Sequence, residues 1–428
     1  MRLWLWFFLL LSTHPLAAQD ASQRYIGLDR LLGKDTFFDN HLTGFMLYDL
    51  DSQTVHYEKN SQVYFIPAST VKLFTFYAGT MVLKDSTTLL RFVPNGDEVT
   101  IWGTGDPSWR YDKLPEPRIR EFFAPYKKIH FSNANWQDDA LGYGWQWDDY
   151  HFAYSAEKSP FPIYGNLVTA QNVNNRPVIS PAHFRNQLST SDRTMRNVQR
   201  DFHSNTFYYN PRSYNGQKAQ VPFITSPQTF AVLAGQELNK EVVPSTAKLP
   251  EQHFVIRGVR MEALYKEILQ ESDNFVAEQL MLMVSDEVFK TLNTGKAIDF
   301  IKKNYLADLP DDPQWVDGSG LSRHNLASPR TMVAVAEKIY RLYPDDVLFN
   351  LFPKGGVNGT LKNNYKAAVP YVFAKTGTIS NNHSLVGYIR TRNKKLYAFA
   401  FMNNNYPYKA SRVRAEMEKV LLYIRDNY

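Results

Sequence analysis

Nine consecutive apolar residues, 3–11, follow a single cation at Arg2, and a polar break then leads to the small residues Ala17 and Ala18. That is the layout of a secretory signal peptide. The run falls far short of the ~20 apolar residues a bilayer span needs, and no later stretch reaches that length. The pattern predicts a signal peptide over 1–18 and a secreted or periplasmic protein with no transmembrane span.

Beyond the leader the periodicity is two. The stretch "TGFMLYDLDSQTVHYEKN" gives two strand-like runs around Asp51, Ser52 and Gln53, which predicts an opening β-hairpin. Near the far end "SLVGYIRTRNKKLYAFAFMNN" predicts a second hairpin, with the charged run 390–395 as its turn. Val413, Met417, Val420, Leu421 and Ile424 then recur at helical spacing. Strands near both ends and a closing helix predict one antiparallel sheet built from both ends of the chain. The middle must then be inserted.

That middle, from 93 to 225, is rich in Pro, Asn and Tyr, with short strand-like pieces such as "EVTIWG" and "KKIHFSN". Five of the eight Trp fall in it: Trp102, Trp109, Trp136, Trp145 and Trp147. A linker would not carry so many large aromatics, so a folded, mostly β insertion is expected. From 226 the pattern turns helical, most clearly in "RMEALYKEILQ" and "NFVAEQLMLMV". The expected division is a discontinuous main domain at 19–92 and 226–428 with an inserted domain at 93–225. A chain of 428 residues is long enough for both.

Composition narrows the chemistry. A hydrophobic fraction of 44% with 21% charged residues belongs to a folded globular protein. The net charge of +6 comes from scattered Lys and Arg rather than one basic stripe, so nucleic acid is a poor partner and an anionic extracellular polymer a better one. There is no cysteine. Disulfides and a thiolate nucleophile are excluded, so any nucleophile is an oxygen.

The candidate oxygen is Ser69, in "PASTVKLF". A serine hydroxyl needs a base within hydrogen-bond reach, and a lysine without its proton can serve. In S-x-x-K the side chains of Ser69 and Lys72 face the same way across one helical turn. The helix start offers free N–H groups and a positive dipole end to an oxyanion. Holding Lys72 neutral at pH 7 requires its pKa to fall by roughly three units from ~10.4, which burial against the apolar helix that follows, together with a second cation nearby, can supply. The same pattern occurs at Ser155 and Lys158 and at Ser245 and Lys248, where prolines break any long buried helix. Further along, "ESDNFVAEQL" places Ser272, Asp273 and Asn274 at a helix junction, where an N-cap is the plain alternative. S-x-N recurs at Ser213 and Asn215 and at Ser380 and Asn382. K-T-G occurs once, at Lys375, Thr376 and Gly377 after a strand-like run, where a glycine permits close approach and Lys and Thr can hold a carboxylate.

These three motifs, in this order and on these element types in an exported protein, mark penicillin-binding proteins and class A β-lactamases. The spacing from Ser69 to Ser272, 272 − 69 = 203 residues, exceeds what a compact β-lactamase needs. The chain resembles the D-alanyl-D-alanine carboxypeptidase/endopeptidases, the low-molecular-mass class C penicillin-binding proteins. Besides the motifs, the resemblance covers "GTGDPSW" at 103–109, "YGWQWDDYHFAYSA" at 143–156, "VDGSGLSRHN" at 316–325 and "GGVNGTLKN" at 355–363. It implies an α+β penicillin-binding/serine β-lactamase-like transpeptidase fold: an antiparallel sheet flanked by helices, an all-helical subdomain and a mostly β insertion.

By position, the resemblance implies that Ser69 attacks the carbonyl of the penultimate D-Ala while Lys72 takes its proton. Ser272 relays a proton to the leaving amine, and Asn274 holds the substrate amide and orients Lys72. Lys375, Thr376 and Thr378 bind the terminal carboxylate beside Gly377, and the backbone N–H groups of Ser69 and Thr378 form the oxyanion hole. Asp149 reaches toward the substrate's amino group. Peptidoglycan stem peptides are the implied substrate, β-lactam antibiotics the inhibitors, and neither a metal nor an organic cofactor is required. The chain departs from the family after K-T-G, where Asn381, Asn382 and His383 replace a smaller or more apolar link. His324 and His383 read as turn or packing residues. Two rivals are a serine β-lactamase or esterase on the same fold, for which no separate deacylation segment is evident, and a non-catalytic peptidoglycan-binding protein, which the intact motifs argue against.

Overall fold

The computed structural model describes residues 14–428, with side chains from 22 onward. The apolar run of the expected signal peptide lies outside the described residues; a helix, His14–Leu32, begins within the last positions of the expected leader.

The two predicted hairpins meet in one five-stranded sheet. Its order is Val372–Ile379, Asn382–Arg390, Leu396–Asn404, Leu42–Asp49, Thr54–Lys59, with every neighbour antiparallel. The seam joins the first strand to the last, with Phe45 opposite Phe401. All nine positions of Leu396–Asn404 are buried, because both faces of the sheet are covered. On one face Tyr397, Phe399 and Phe401 pack with Leu28 and Leu32 and with Val413, Met417 and Leu421 of the closing helix, Ala410–Asn427. On the other, the small Ala398 and Ala400 leave room for Met332, Val333 and Ala336 of the helix Pro329–Tyr340. Large residues face the terminal helices and small ones the helix that packs closely. Truncating Phe401 to Ala should cost about 3–5 kcal/mol.

Behind that second face lies the helical part. Lys72–Val82 packs through Leu73, Phe74 and Phe76 against Leu280, Met281 and Val284 of the helix Asn274–Phe289. Each such side chain contributes about 1.5–3 kcal/mol on burial. This is the α+β architecture expected, an antiparallel sheet flanked by helices.

A second five-stranded sheet runs in the order Glu241–Ser245, Lys128–Ser132, Glu98–Gly103, Ser86–Asn95, Phe254–Arg260. The pairs of Lys128–Ser132 with its two neighbours are parallel and the other two are antiparallel. This sheet, with the helix Pro227–Leu238 packed on it through Phe230 and Leu233, reaches beyond the expected bounds of 93–225 on both sides. The sequence pattern loses these late strands for a physical reason. Pro244 has no N–H to donate to a ladder and Gly258 interrupts the alternation of Phe254–Arg260, so neither segment reads as a strand.

Candidate active site

Pro67 leads into a single 3₁₀ turn, Ala68–Val71, which runs directly into the helix Lys72–Val82. Ala68 holds φ 48, in the left-handed region that L residues seldom adopt, so the chain turns sharply just before Ser69. Two glycines make room there. A Cβ on Gly377 would lie 3.0 Å from the backbone N of Ser69 and 2.8 Å from that of Thr70, and one on Gly320, itself at φ +78, would lie 3.1 Å from the same Ser69 N. The K-T-G strand and the loop around Gly320 therefore both lie close against the backbone of Ser69.

Lys72 is fully buried. Its Nζ donates to Ser69 Oγ at 3.0 Å, to Asn274 Oδ1 at 2.7 Å and to the carbonyl of Ser319 at 2.5 Å. Burial lowers its pKa from 10.5 to about 8, against the opposing pull of Asp317, Glu278 and Asp273. Lys375 is also fully buried, and its Nζ donates to Ser272 Oγ at 2.7 Å and to the carbonyl of Thr376 at 2.8 Å. Burial first, and then the charge of Lys72, push its pKa well down.

Within S-D-N the capping role falls on Asp273, between the two residues that contact the lysines, Ser272 and Asn274. Asp273 caps the helix Asn274–Phe289, its Oδ1 accepting from Val276 N at 3.0 Å, while its Oδ2 accepts from Tyr111 and Lys113 at 2.6 Å each. That frees Ser272 and Asn274 to project. Ser272 sits at φ 61 after the π-turn Glu267–Glu271, an irregularity of the kind found at functional sites.

On the edge strand Val372–Ile379 side chains alternate, so Thr376 and Thr378 share the face opposite to that of Lys375 and Gly377. Thr376 Oγ1 donates to Thr360 Oγ1 at 2.9 Å, and Thr378 Oγ1 lies 2.7 Å from His383 Nδ1. Asp149 is buried and one step removed: its Oδ1 accepts from Tyr154 OH at 2.7 Å, and the Tyr154 carbonyl accepts from Asn274 Nδ2 at 3.0 Å.

The other S-x-x-K matches have different surroundings. Lys158 is buried against Asp138 at 3.0 Å and Thr294 at 3.3 Å, and Ser245 ends a strand with its hydroxyl accepting from Ala247 N. Ser213 donates to the Met195 carbonyl, and Asn382 to the Ser380 carbonyl. None of these joins Ser69.

Three groups escaped the sequence reading. The Ser319 carbonyl holds Lys72, the Ser319 N–H donates to Glu278 Oε1 at 2.8 Å, and Asp317 accepts from Gly320 N, Ser322 N, Asn325 Nδ2 and Trp145 Nε1. Glu278 is buried, its pKa raised to about 7 by burial and by the charge of Asp317. The stretch "VDGSGLSRHN" did stand out in the sequence; a contact made by a main-chain carbonyl leaves no side-chain signature.

A serine and a buried lysine in contact, a second serine–lysine couple beside them, and an edge strand laid over the serine's backbone define a serine acyl-transfer site on a penicillin-binding type of fold. The profile of the D-Ala-D-Ala carboxypeptidase 3 (S13) family matches residues 26–423, and the chain belongs to that family. It is 24% identical to the D-alanyl-D-alanine carboxypeptidase DacB of Haemophilus influenzae over 85% of each chain. It is 24% identical to the penicillin-sensitive carboxypeptidase A of Dictyostelium discoideum over 76% of this chain and 74% of that one. Among solved structures, penicillin binding protein 4 of Haemophilus influenzae superposes with a TM-score of 0.73 at 21% identity, over 93% of this chain and 98% of that one. The chain is thus a hydrolase of the serine carboxypeptidase class. Among the described residues no helix is long and apolar enough to cross a membrane.

Proposed function

We propose that this protein is a serine D-alanyl-D-alanine carboxypeptidase/endopeptidase that cleaves peptidoglycan stem peptides through an acyl-enzyme on Ser69. The observation that carries the reading is the contact of Lys72 Nζ with Ser69 Oγ at 3.0 Å, in a setting that lowers the lysine's pKa to about 8. Neutral Lys72 accepts the hydroxyl proton as Ser69 Oγ bonds to the carbonyl carbon of the penultimate D-Ala. The oxyanion takes hydrogen bonds from the N–H groups of Ser69 and Thr378. The C–N bond breaks, the leaving amine takes a proton through Ser272 and Lys375, and water then releases the acyl group. Asn274 holds the acyl amide and keeps Lys72 aimed at Ser69.

Thr376 and Thr378 receive the terminal carboxylate, with Lys375 on the other face of the strand behind them. Asp149, behind Tyr154, faces an amino group on the stem peptide. β-Lactams acylate the same oxygen. The leader pattern at 1–18 and a wall-polymer substrate both fit an exported, periplasmic enzyme. The inserted domain is read as 86–260, following the strands of the second sheet.

The test is intact-mass spectrometry of the protein with benzylpenicillin over time, beside Ser69→Ala. A persistent one-penicillin adduct absent in the variant is expected. Fast loss of penicillin without an adduct would mean a β-lactamase, and intact penicillin with no adduct would mean a wall-binding protein.

A further inference from the structure

His383 stands directly opposite Thr378 in the register of the edge pair, so the two side chains share a face of the sheet. Its Nδ1 lies 2.7 Å from Thr378 Oγ1. The ring is 1% exposed, and Nε2 has no hydrogen-bond partner among the described residues. Burial, and then the charge of Arg414, lower its pKa to about 3, so the imidazole is neutral and carries a single N–H.

Two tautomers are open to it. With the proton on Nε2, Thr378 would donate to Nδ1 and a buried N–H would be orphaned. With the proton on Nδ1, the ring donates to Thr378 Oγ1 and only an acceptor goes unpaired. Orphaned buried N–H groups are the rarer case, which favours the second tautomer. That tautomer occupies a lone pair of the hydroxyl and leaves its hydrogen free, on a residue that is exposed.

We propose that His383 is a positioning residue: by donating from Nδ1 to Thr378 Oγ1, it commits the Thr378 hydroxyl to donate to the carboxylate at the end of the substrate. The proposal rests on the D-Ala-D-Ala peptidase reading. A hydroxyl held by a donor is oriented and polarised, and its bond to a carboxylate is charge-assisted. No proton is transferred in this step.

The test measures kcat/KM on a D-Ala-D-Ala peptide and on the same peptide ending in a carboxamide, for wild type, His383→Leu and His383→Asn. Asn can offer an N–H where Nδ1–H stood; Leu cannot. His383→Leu should lose about tenfold on the carboxylate peptide, the size of one hydrogen bond to a charged group, with little change on the carboxamide. His383→Asn should recover most of that loss. Nitrogen-15 NMR of the labelled wild type, which needs no variant, should place the proton on Nδ1. A proton on Nε2, an equal loss on both peptides, or no loss in His383→Leu would overturn the proposal. A wild type that turns over neither peptide and takes no penicillin defeats the peptidase reading itself, and the proposal with it.

Discussion

Lys375 Nζ donates to Ser272 Oγ at 2.7 Å, so the lysine of the edge strand and the serine of the helix junction form a second serine–lysine couple beside Ser69 and Lys72. The alternation of the strand turns Lys375 away from the face of Thr376 and Thr378 and into the protein. Two buried lysines in one site disfavour each other's charge, so a proton given up by one is readily held by the other. The proposed relay from Ser69 to the leaving amine relies on that property.

Removing one end of that couple should slow chemistry more than binding. Ser272→Ala and Lys375→Met are each expected to lower the rate of acylation by benzylpenicillin about 10²–10⁴-fold, the range for losing a positioned acid or base. Because both act in one unit, the double variant should be little worse than the worse single one. Stopped-flow acylation rates on the three variants check this, and fully additive losses would separate the two residues.

The pH dependence follows from Lys72. As the proposed base for Ser69 it must be neutral, and its pKa is lowered from 10.5 to about 8. Below that value the neutral fraction falls about tenfold per pH unit; above it the fraction saturates. Acylation by penicillin should therefore rise with pH and level off near pH 8, whereas an unperturbed lysine would keep it rising past pH 10. A rate flat between pH 6 and 9 would show that Lys72 is not the titrating base.

The sequence carried the parts of this site that reside in side-chain identity and spacing. Ser69 and Lys72 are three apart on one helix, and the apolar run behind them announced the burial that depresses the lysine. The hairpins were legible because their residues alternate, even though Leu396–Asn404 is buried on both faces; its large and small apolar residues keep the period of two. What stayed hidden depends on the return of distant chain. Ser319 contributes a carbonyl that any residue could supply, and Glu278 sits in a helix buried on all sides from Phe275 to Asp286, where it reads as an ordinary polar position. His383 read as a packing residue because only the strand register brings it to Thr378.

Gly377 tests how closely the edge strand and Ser69 must fit. An added Cβ would fall 3.0 Å or less from the backbone nitrogens of Ser69 and Thr70, and backbone cannot swing aside as a side-chain tip can. Gly377→Ala should push the edge strand off Ser69 by a fraction of an ångström, displacing Thr378 with it. A displacement approaching ~1 Å costs about 10²-fold in rate, so acylation should slow by up to that factor while the cooperative thermal transition survives. Circular dichroism melting beside intact-mass acylation checks both halves; wild-type acylation in this variant would mean the strand is not held against the nucleophile.

Glu278 offers a finer control over Lys72. It receives the N–H of the residue whose carbonyl receives Lys72, and when ionised its charge raises the lysine's pKa. Its own pKa of about 7 means that it is mainly ionised where Lys72 titrates, near pH 8. Glu278→Gln keeps a side-chain oxygen for Ser319 N–H and removes the charge. The lysine then loses an anion that favoured its proton, so the midpoint of the acylation profile should move to lower pH. The shift should be largest above pH 7, where the wild-type carboxylate is charged. The rate on the plateau should fall little, because Lys72 keeps its contacts with Ser69 and Asn274. Acylation rates from pH 5 to 10 on both proteins decide it: a midpoint that stays near 8, with only an overall loss of rate, would reduce Glu278 to a support for the Ser319 loop.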